Sequence, residues 1–179
     1  MSRFPAAFGV VALVAAVALS ACGDDNAPAA QAPAGDSTTP NAAPATTVAA
    51  EPMDARGVID SLAAAGLPLT SIVEQDENTD PNGKLGRPGG YTSRASADVP
   101  EGRKDGEKYG IDRGLVVEVF ATPEDAATRS KFIQDALKAA QILGTEYHYQ
   151  PADKRVLVRL TGAVKPSRAK VYEVAVTSL

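Results

Sequence analysis

Polar and apolar positions divide this chain into three parts: an opening apolar run, a long stretch without period, and a tract from about residue 51 in which clear periods appear. Within that tract, Asp54 to Ala65 places Val58, Leu62 and Ala65 on one helical stripe, with Ile59 beside it. Gly66 follows where a helix C-cap is expected, and Pro68 comes soon after. Leu69 to Glu74 and Tyr91 to Val99 read as strands. Leu115 to Phe120 alternates most clearly, with Leu115, Val117 and Val119 on one face and Val116, Glu118 and Phe120 on the other.

Directly after it, Thr122-Pro123-Glu124-Asp125 supplies an N-cap, a proline suited to the first helical position and acidic residues for the first turn. The helix so predicted runs to about Ala140, with Ala126, Ile133, Ala136, Leu137 and Ala140 on its apolar face. Thr145 to Tyr149 and Val156 to Leu160 form two more strands, joined through Gln150 to Arg155. Pro166 to Leu179 admits two readings. Pro166 and the stripe Ala169, Tyr172 and Val176 favour a helix, whereas VYEVAV has the β-branched content of a strand; helix is preferred.

These periods predict a small single α+β domain, an antiparallel or mixed sheet with helices packed on one face. From Leu115 onward the order strand, helix, strand, strand, helix resembles the ferredoxin-like unit, with Leu69 to Glu74 as one source of the missing strand. Ile59 to Ala64 faintly echoes Ile133 to Lys138, each a helix followed by strands. A duplicated unit and shared amphipathic composition both explain that echo.

The opening segment belongs to no fold. Arg3, the apolar run from about Phe8 to Leu19 and the small residues before Cys22 make the three-part plan of an export signal. The run falls short of the ~20 residues that span a bilayer as a helix. Leu19-Ser20-Ala21-Cys22 resembles the lipobox of bacterial lipoproteins, which implies residues 1–21 as a removed signal peptide and lipidation of Cys22 as the new N-terminus. Two or more acyl chains would then anchor the chain to the outer face of the cell membrane. The alternative is an ordinary signal cut elsewhere, leaving the only cysteine of the chain as a free thiol.

Residues 22–50 are rich in Ala, Pro and Thr, with no basic residue and no aromatic. Such a tract has too little apolar surface to offset the entropy of ordering, so it reads as a disordered tether. Its flexible-chain reach is roughly 30 Å. Asp24, Asp25 and Asp36 place most of the net charge of -4 there. Residues 51–179 are near neutral, which gives no basic excess for nucleic acid or for electrostatic membrane binding. Without tryptophan, the core falls to Val, Leu, Ile and Ala.

Candidate chemistry concentrates in the turn-rich Gln75 to Arg94, a long loop inside a compact domain. Asp76, Glu77, Asn78, Asp80 and Asn82 offer oxygen ligands, but neither EF-hand register places a carboxylate at the twelfth position; a solvated acidic turn is the simpler reading. Gly83-Lys84 is followed by Leu85, so the phosphate-loop pattern fails. Gly86-Arg87-Pro88-Gly89-Gly90-Tyr91 shapes a fixed turn that would present Arg87 and Tyr91, with Arg94 nearby, as a binding loop. A turn that merely leads into the strand is the plainer alternative. TDPNGKLGRPGGYTSR, with EYHY downstream, resembles small uncharacterised lipoproteins of high-GC Gram-positive bacteria; the likeness spans most of the folded part and implies no particular activity.

His148 shares a strand face with Glu146, an ordinary placement for a histidine on a polar face. No second histidine completes a metal set, and no serine stands in a nucleophile motif. The sequence therefore predicts no catalytic residue, no metal and no cofactor. It predicts an extracytoplasmic lipoprotein held to the membrane by its N-terminal lipid, with a non-enzymatic module binding an envelope protein or cell-wall component. The alternatives are a small envelope hydrolase using paired carboxylates, and an inhibitor or decoy module.

Overall fold

The computed structural model describes residues 53–179; the signal segment, Cys22 and the Ala/Pro/Thr-rich tract lie outside the described residues. The first element is helix α1 (Ala55–Ala64). Asp54 starts it by accepting a hydrogen bond from the Gly57 amide, and Gly66, at φ 87°, turns the chain away after its end. Val58, Ile59 and Leu62 are buried, each stabilising the fold by about 1.5–3 kcal/mol relative to exposure.

Strands β1 (Thr70–Glu74) and β2 (Tyr91–Asp98) follow, and a short 3-10 turn at Ile111–Arg113 leads into β3 (Gly114–Phe120). Helix α2 (Pro123–Ala139) begins where its capping signals stand, with Thr122 Oγ1 accepting from the Asp125 amide. A second 3-10 turn at Gln141–Leu143 precedes β4 (Glu146–Tyr149) and β5 (Val156–Thr161). The C-terminal segment forms α3 (Pro166–Thr177). Burial of Ala169, Tyr172 and Val176 along one side decides for helix against the β-branched content of that segment.

The sheet has the order β1-β2-β3-β5-β4, with every neighbouring pair antiparallel. Register places Ala95, Ala97, Leu115, Val117, Val158 and Leu160 on one face, where α1 and α3 close the main core. The α+β class and the antiparallel sheet are thus present. Helices on a single face describe α1 and α3 only. Helix α2 covers the opposite face, because Val116, Glu118 and Phe120 are as buried as Leu115, Val117 and Val119, and a strand buried on both sides needs two covering layers.

Strands β3 and β4 run parallel with β5 between them, the split arrangement of a ferredoxin-like unit. The strand on the far side of β3 is β2, whereas β1, the expected donor, lies outermost. The echo noted in the sequence has a counterpart in the topology. α1-β1-β2 and α2-β4-β5 each run helix, edge strand, inner strand, and they flank β3 on opposite faces. A half-turn about an axis along β3 carries one order of elements onto the other. Among the described residues no helix is long and apolar enough to cross a membrane.

Candidate functional site

The sheet face beneath α2 is a layer of paired charges. Arg94, Glu118, Arg159 and His148 sit on adjacent strands at register positions that turn all four to this side. Arg159 is the hub: its Nη1 donates to Glu118 Oε1 at 3.1 Å, and its Nε and Nη2 donate to the two oxygens of Glu146, each at 2.8 Å. Arg129 reaches down from α2 to Glu118 at 3.2 and 3.3 Å. Glu118 is 0 % exposed, and these two guanidinium groups are its side-chain partners, so removing either leaves a buried polar group short of a partner.

Burial pushes the Glu146 carboxyl up, but the hydrogen bonds from His148 and Arg159 outweigh it and bring the group down to about 2. His148 Nε2 lies 3.1 Å from Glu146 Oε2, and its Nδ1 lies 2.7 Å from Ser130 Oγ on α2. Hydroxyl, imidazole and carboxylate therefore stand in line, an arrangement that sequence spacing did not reveal, since Ser130 lies in no nucleophile motif. Ser130 sits within α2, where backbone amides are already bound to carbonyls one turn back, so the helix offers no donors for an oxyanion at that point. The glutamate is also committed to Arg159. The line reads as a polar tie between α2 and β4, reinforced by Gln134 Nε2 donating to the Glu146 carbonyl at 3.2 Å.

A second network anchors the glycine-rich turn. The Asp80 carboxylate accepts from the backbone amides of Asn82, Lys84 and Leu85, and from the Tyr91 hydroxyl. Burial raises the Asp80 carboxyl, and these four bonds together outweigh it, so the group stays below the usual carboxylate range. Arg94 donates to Gln75 Oε1 at 2.7 Å and to the Tyr109 carbonyl at 2.8 Å, while its Nε lies 3.7 Å from Asp80 without a hydrogen-bond partner.

Of the three residues expected to form a binding loop, the structure leaves one at the surface. Tyr91 is 0 % exposed, packed edge-on against Phe120 at 6.0 Å; Arg94 is 1 % exposed; only Arg87 is exposed. The reason lies in the strand. Tyr91 and Arg94 belong to β2, and its inner side is closed over by the loops that follow Glu74 and Val99, so these side chains hold the turn from below. The oxygen-rich cluster divides likewise. Asp76 closes a local turn by accepting from Asn78 and Thr79, while Asp80 points inward.

The turn itself is rigid. Gly86 and Gly89 take left-handed conformations at φ 71° and 68°, and a Cβ on Gly90 would stand 2.0 Å from the Lys84 carbonyl oxygen. Backbone bonds from Gly86 to Tyr91 and from Gly90 to Arg87 close it. Across from the turn stands α2, and between them lies a cleft of about 170 Å³, with Lys84, Gly89 and Gly90 on one side and Phe120, Arg129 and Phe132 on the other. Phe132 is 64 % exposed, and neither Lys84 nor Arg87 has an ion-pair partner among the described residues. Phe132 and Arg129 are the residues sequence reasoning missed. The available signal was Phe132 itself, a large aromatic lying off the apolar stripe of its helix. No family model, no curated protein and no solved structure matches this chain.

Proposed function

We propose that residues 53–179 are the binding module of a lipid-anchored extracytoplasmic lipoprotein, and that the module engages an envelope protein or cell-wall component through the cleft between the Gly86–Gly90 turn and α2. The observation that carries this reading is the pairing of a rigid, exposed turn with an exposed aromatic across a small cleft, with Lys84 free of ion pairs on its rim and Arg87 exposed on the same turn. A preorganised surface of this kind loses little entropy on binding, and aromatic and arginine side chains are the usual anchors of such contacts. Arg87 keeps its expected role, Lys84 and Phe132 join it, and Tyr91 and Arg94 act as the support beneath.

The anchor rests on the sequence: Cys22 after Leu19-Ser20-Ala21 behind an export signal. Glu118 and Glu146, the two carboxylates of the charged layer beneath α2, are both paired with Arg159, which favours binding over catalysis at that layer. The test is crosslinking in cells that express the full-length lipoprotein with a photoreactive residue at Phe132 or Arg87. A discrete adduct that disappears in Lys84→Ala/Arg87→Ala supports the reading. Adducts identical to those from a probe at Ser167 on α3 would refute the choice of surface. Labelling of Ser130 by a fluorophosphonate would replace binding with hydrolysis. For the anchor, Cys22→Ser should abolish acyl labelling and release the protein or leave its precursor uncut.

A further inference from the structure

Helix α2 does not reach β1 and the β1 side of β2. There the inner face is roofed by the segment between Val99 and β3, and a pocket of about 190 Å³ remains beneath it, walled by Ser71, Ser96, Asp98, Lys108, Tyr109 and Arg113. It is a small space, well short of the ~300 Å³ at which drug-sized sites begin. Ser96 and Asp98 are both more than nine-tenths buried, so the wall contains polar groups set into the fold.

Backbone strain collects at the same place. Ser71 and Tyr109, at φ 51° and 65°, are the two non-glycine residues in the left-handed region among the described residues, and both stand in the wall. A residue with a Cβ is sterically strained in this conformation, and such strain concentrates at functional positions. Strand β1 is also irregular here, its register against β2 shifting between Thr70 and Val73, which is what turns Ser71 toward the pocket mouth.

The charges decide what the pocket would take. Arg113 Nε and Nη2 donate to the two oxygens of Asp98 at 2.9 and 2.6 Å, so this pair cancels and leaves no free carboxylate edge for a cation. Arg113 Nη1 is spent on the Lys104 carbonyl at 2.8 Å. Lys108 remains, its Nζ 4.8 Å from the ring of Tyr109 and without an ion pair among the described residues. Ser96 Oγ accepts from Gln75 Nε2 at 3.0 Å and donates no hydrogen bond within the described residues, so its proton is available. Ser71, exposed at the pocket mouth, makes no side-chain hydrogen bond within the described residues, so its hydroxyl can turn to a ligand. One ammonium, two hydroxyls and a neutralised ion pair favour a compact anion.

The geometry points to a second ligand site in this pocket, for a small oxyanion of the carboxylate or phosphate kind, bound by Lys108 with the hydroxyls of Ser96 and Ser71. It is separate from the cleft beside α2 and does not depend on it.

The full-length chain in detergent is titrated with inorganic phosphate and, separately, with acetate, read by amide NMR shifts at Ser71, Ser96 and Lys108. The expected result is a saturable shift at these three positions with at least one of the two anions. Lys108→Met should weaken it at least tenfold, and Lys84→Met in the other cleft should leave it unchanged. Ser71→Gly should weaken binding several-fold while raising the thermal midpoint, because glycine relieves the strain as it removes the hydroxyl. Shifts that never saturate, that spread evenly over surface lysines, or that survive Lys108→Met would overturn the assignment. So would a Ser71→Gly variant that is more stable yet binds unchanged.

Discussion

Glu118 on β3 and Arg159 on β5 face the same side of the sheet, with Oε1 and Nη1 3.1 Å apart and both side chains almost wholly removed from water. Deleting one member of such a pair leaves the other charge uncompensated, which costs about 3–5 kcal/mol. Glu118→Gln, which keeps the shape, should lower stability by about 3 kcal/mol in urea unfolding followed by circular dichroism. Arg129→Met, at the rim of the same layer, should cost less than half as much. Equal midpoints for the two variants would mean that Glu118 is not the centre of the layer.

Acid should act on this layer through Glu146. The folded carboxyl lies at about 2, against an ordinary value of 4.5, so its contribution is complete above about pH 5 and is lost as pH falls towards 2. The contribution is on the order of 3 kcal/mol. Stability measured against pH should therefore fall between about pH 5 and pH 2 in the parent chain. In Glu146→Gln the curve should start lower and be flatter over that window. An acid limb as steep as the parent's would assign the transition to other carboxylates.

The rigidity of the glycine-rich turn should depend on Asp80. Its carboxylate holds the amides of Lys84 and Leu85 at 2.6 and 3.0 Å. Asp80→Asn should speed hydrogen exchange at those two amides at least tenfold, with smaller changes in α3. Gly90→Ala should act on the same turn from the other side, since the new Cβ meets the Lys84 carbonyl at 2.0 Å. If Gly90→Ala left exchange and stability untouched, the turn would be softer than its geometry implies.

Phe132 and Ile133 are neighbours on α2 with opposite surroundings, 64 % and 8 % exposed. Ile133→Ala should cost about 2–5 kcal/mol, as a core truncation does. Phe132→Ala should stay within about 0.5 kcal/mol of the parent, the range of ordinary surface changes. A marked loss of stability in Phe132→Ala would show that the aromatic packs for the fold, which would remove it from the binding surface.

The elements were readable where local chemistry and burial agree. Thr122, Pro123 and the acidic pair after them announce α2, and the alternation of Leu115 to Phe120 announces β3, because each signal acts over a few residues. The site was less readable. Arg94 and Glu118 carry the residue types of solvated positions, yet both are buried by partners distant in sequence: Gln75 and Tyr109 for the one, Arg129 and Arg159 for the other. Their separations, from 11 to 41 residues, follow neither the helical nor the strand period, so no periodic pattern marks those pairs. Ser130 meets His148 only once α2 has crossed the sheet, and Tyr91 and Arg94 are hidden by the loops that follow Glu74 and Val99, whose path no local signal announces.

The two open margins of the sheet carry a further meaning. β1 has five residues and a register irregularity within them, and β4 has four. A neighbouring molecule that approached edge-on would find only a few unpaired backbone groups in line, too short and uneven a ladder to continue the sheet across two chains. Copies held close together would then meet as separate folded bodies instead of zipping into a shared β structure, because the two outermost strands among the described residues are too short to template one.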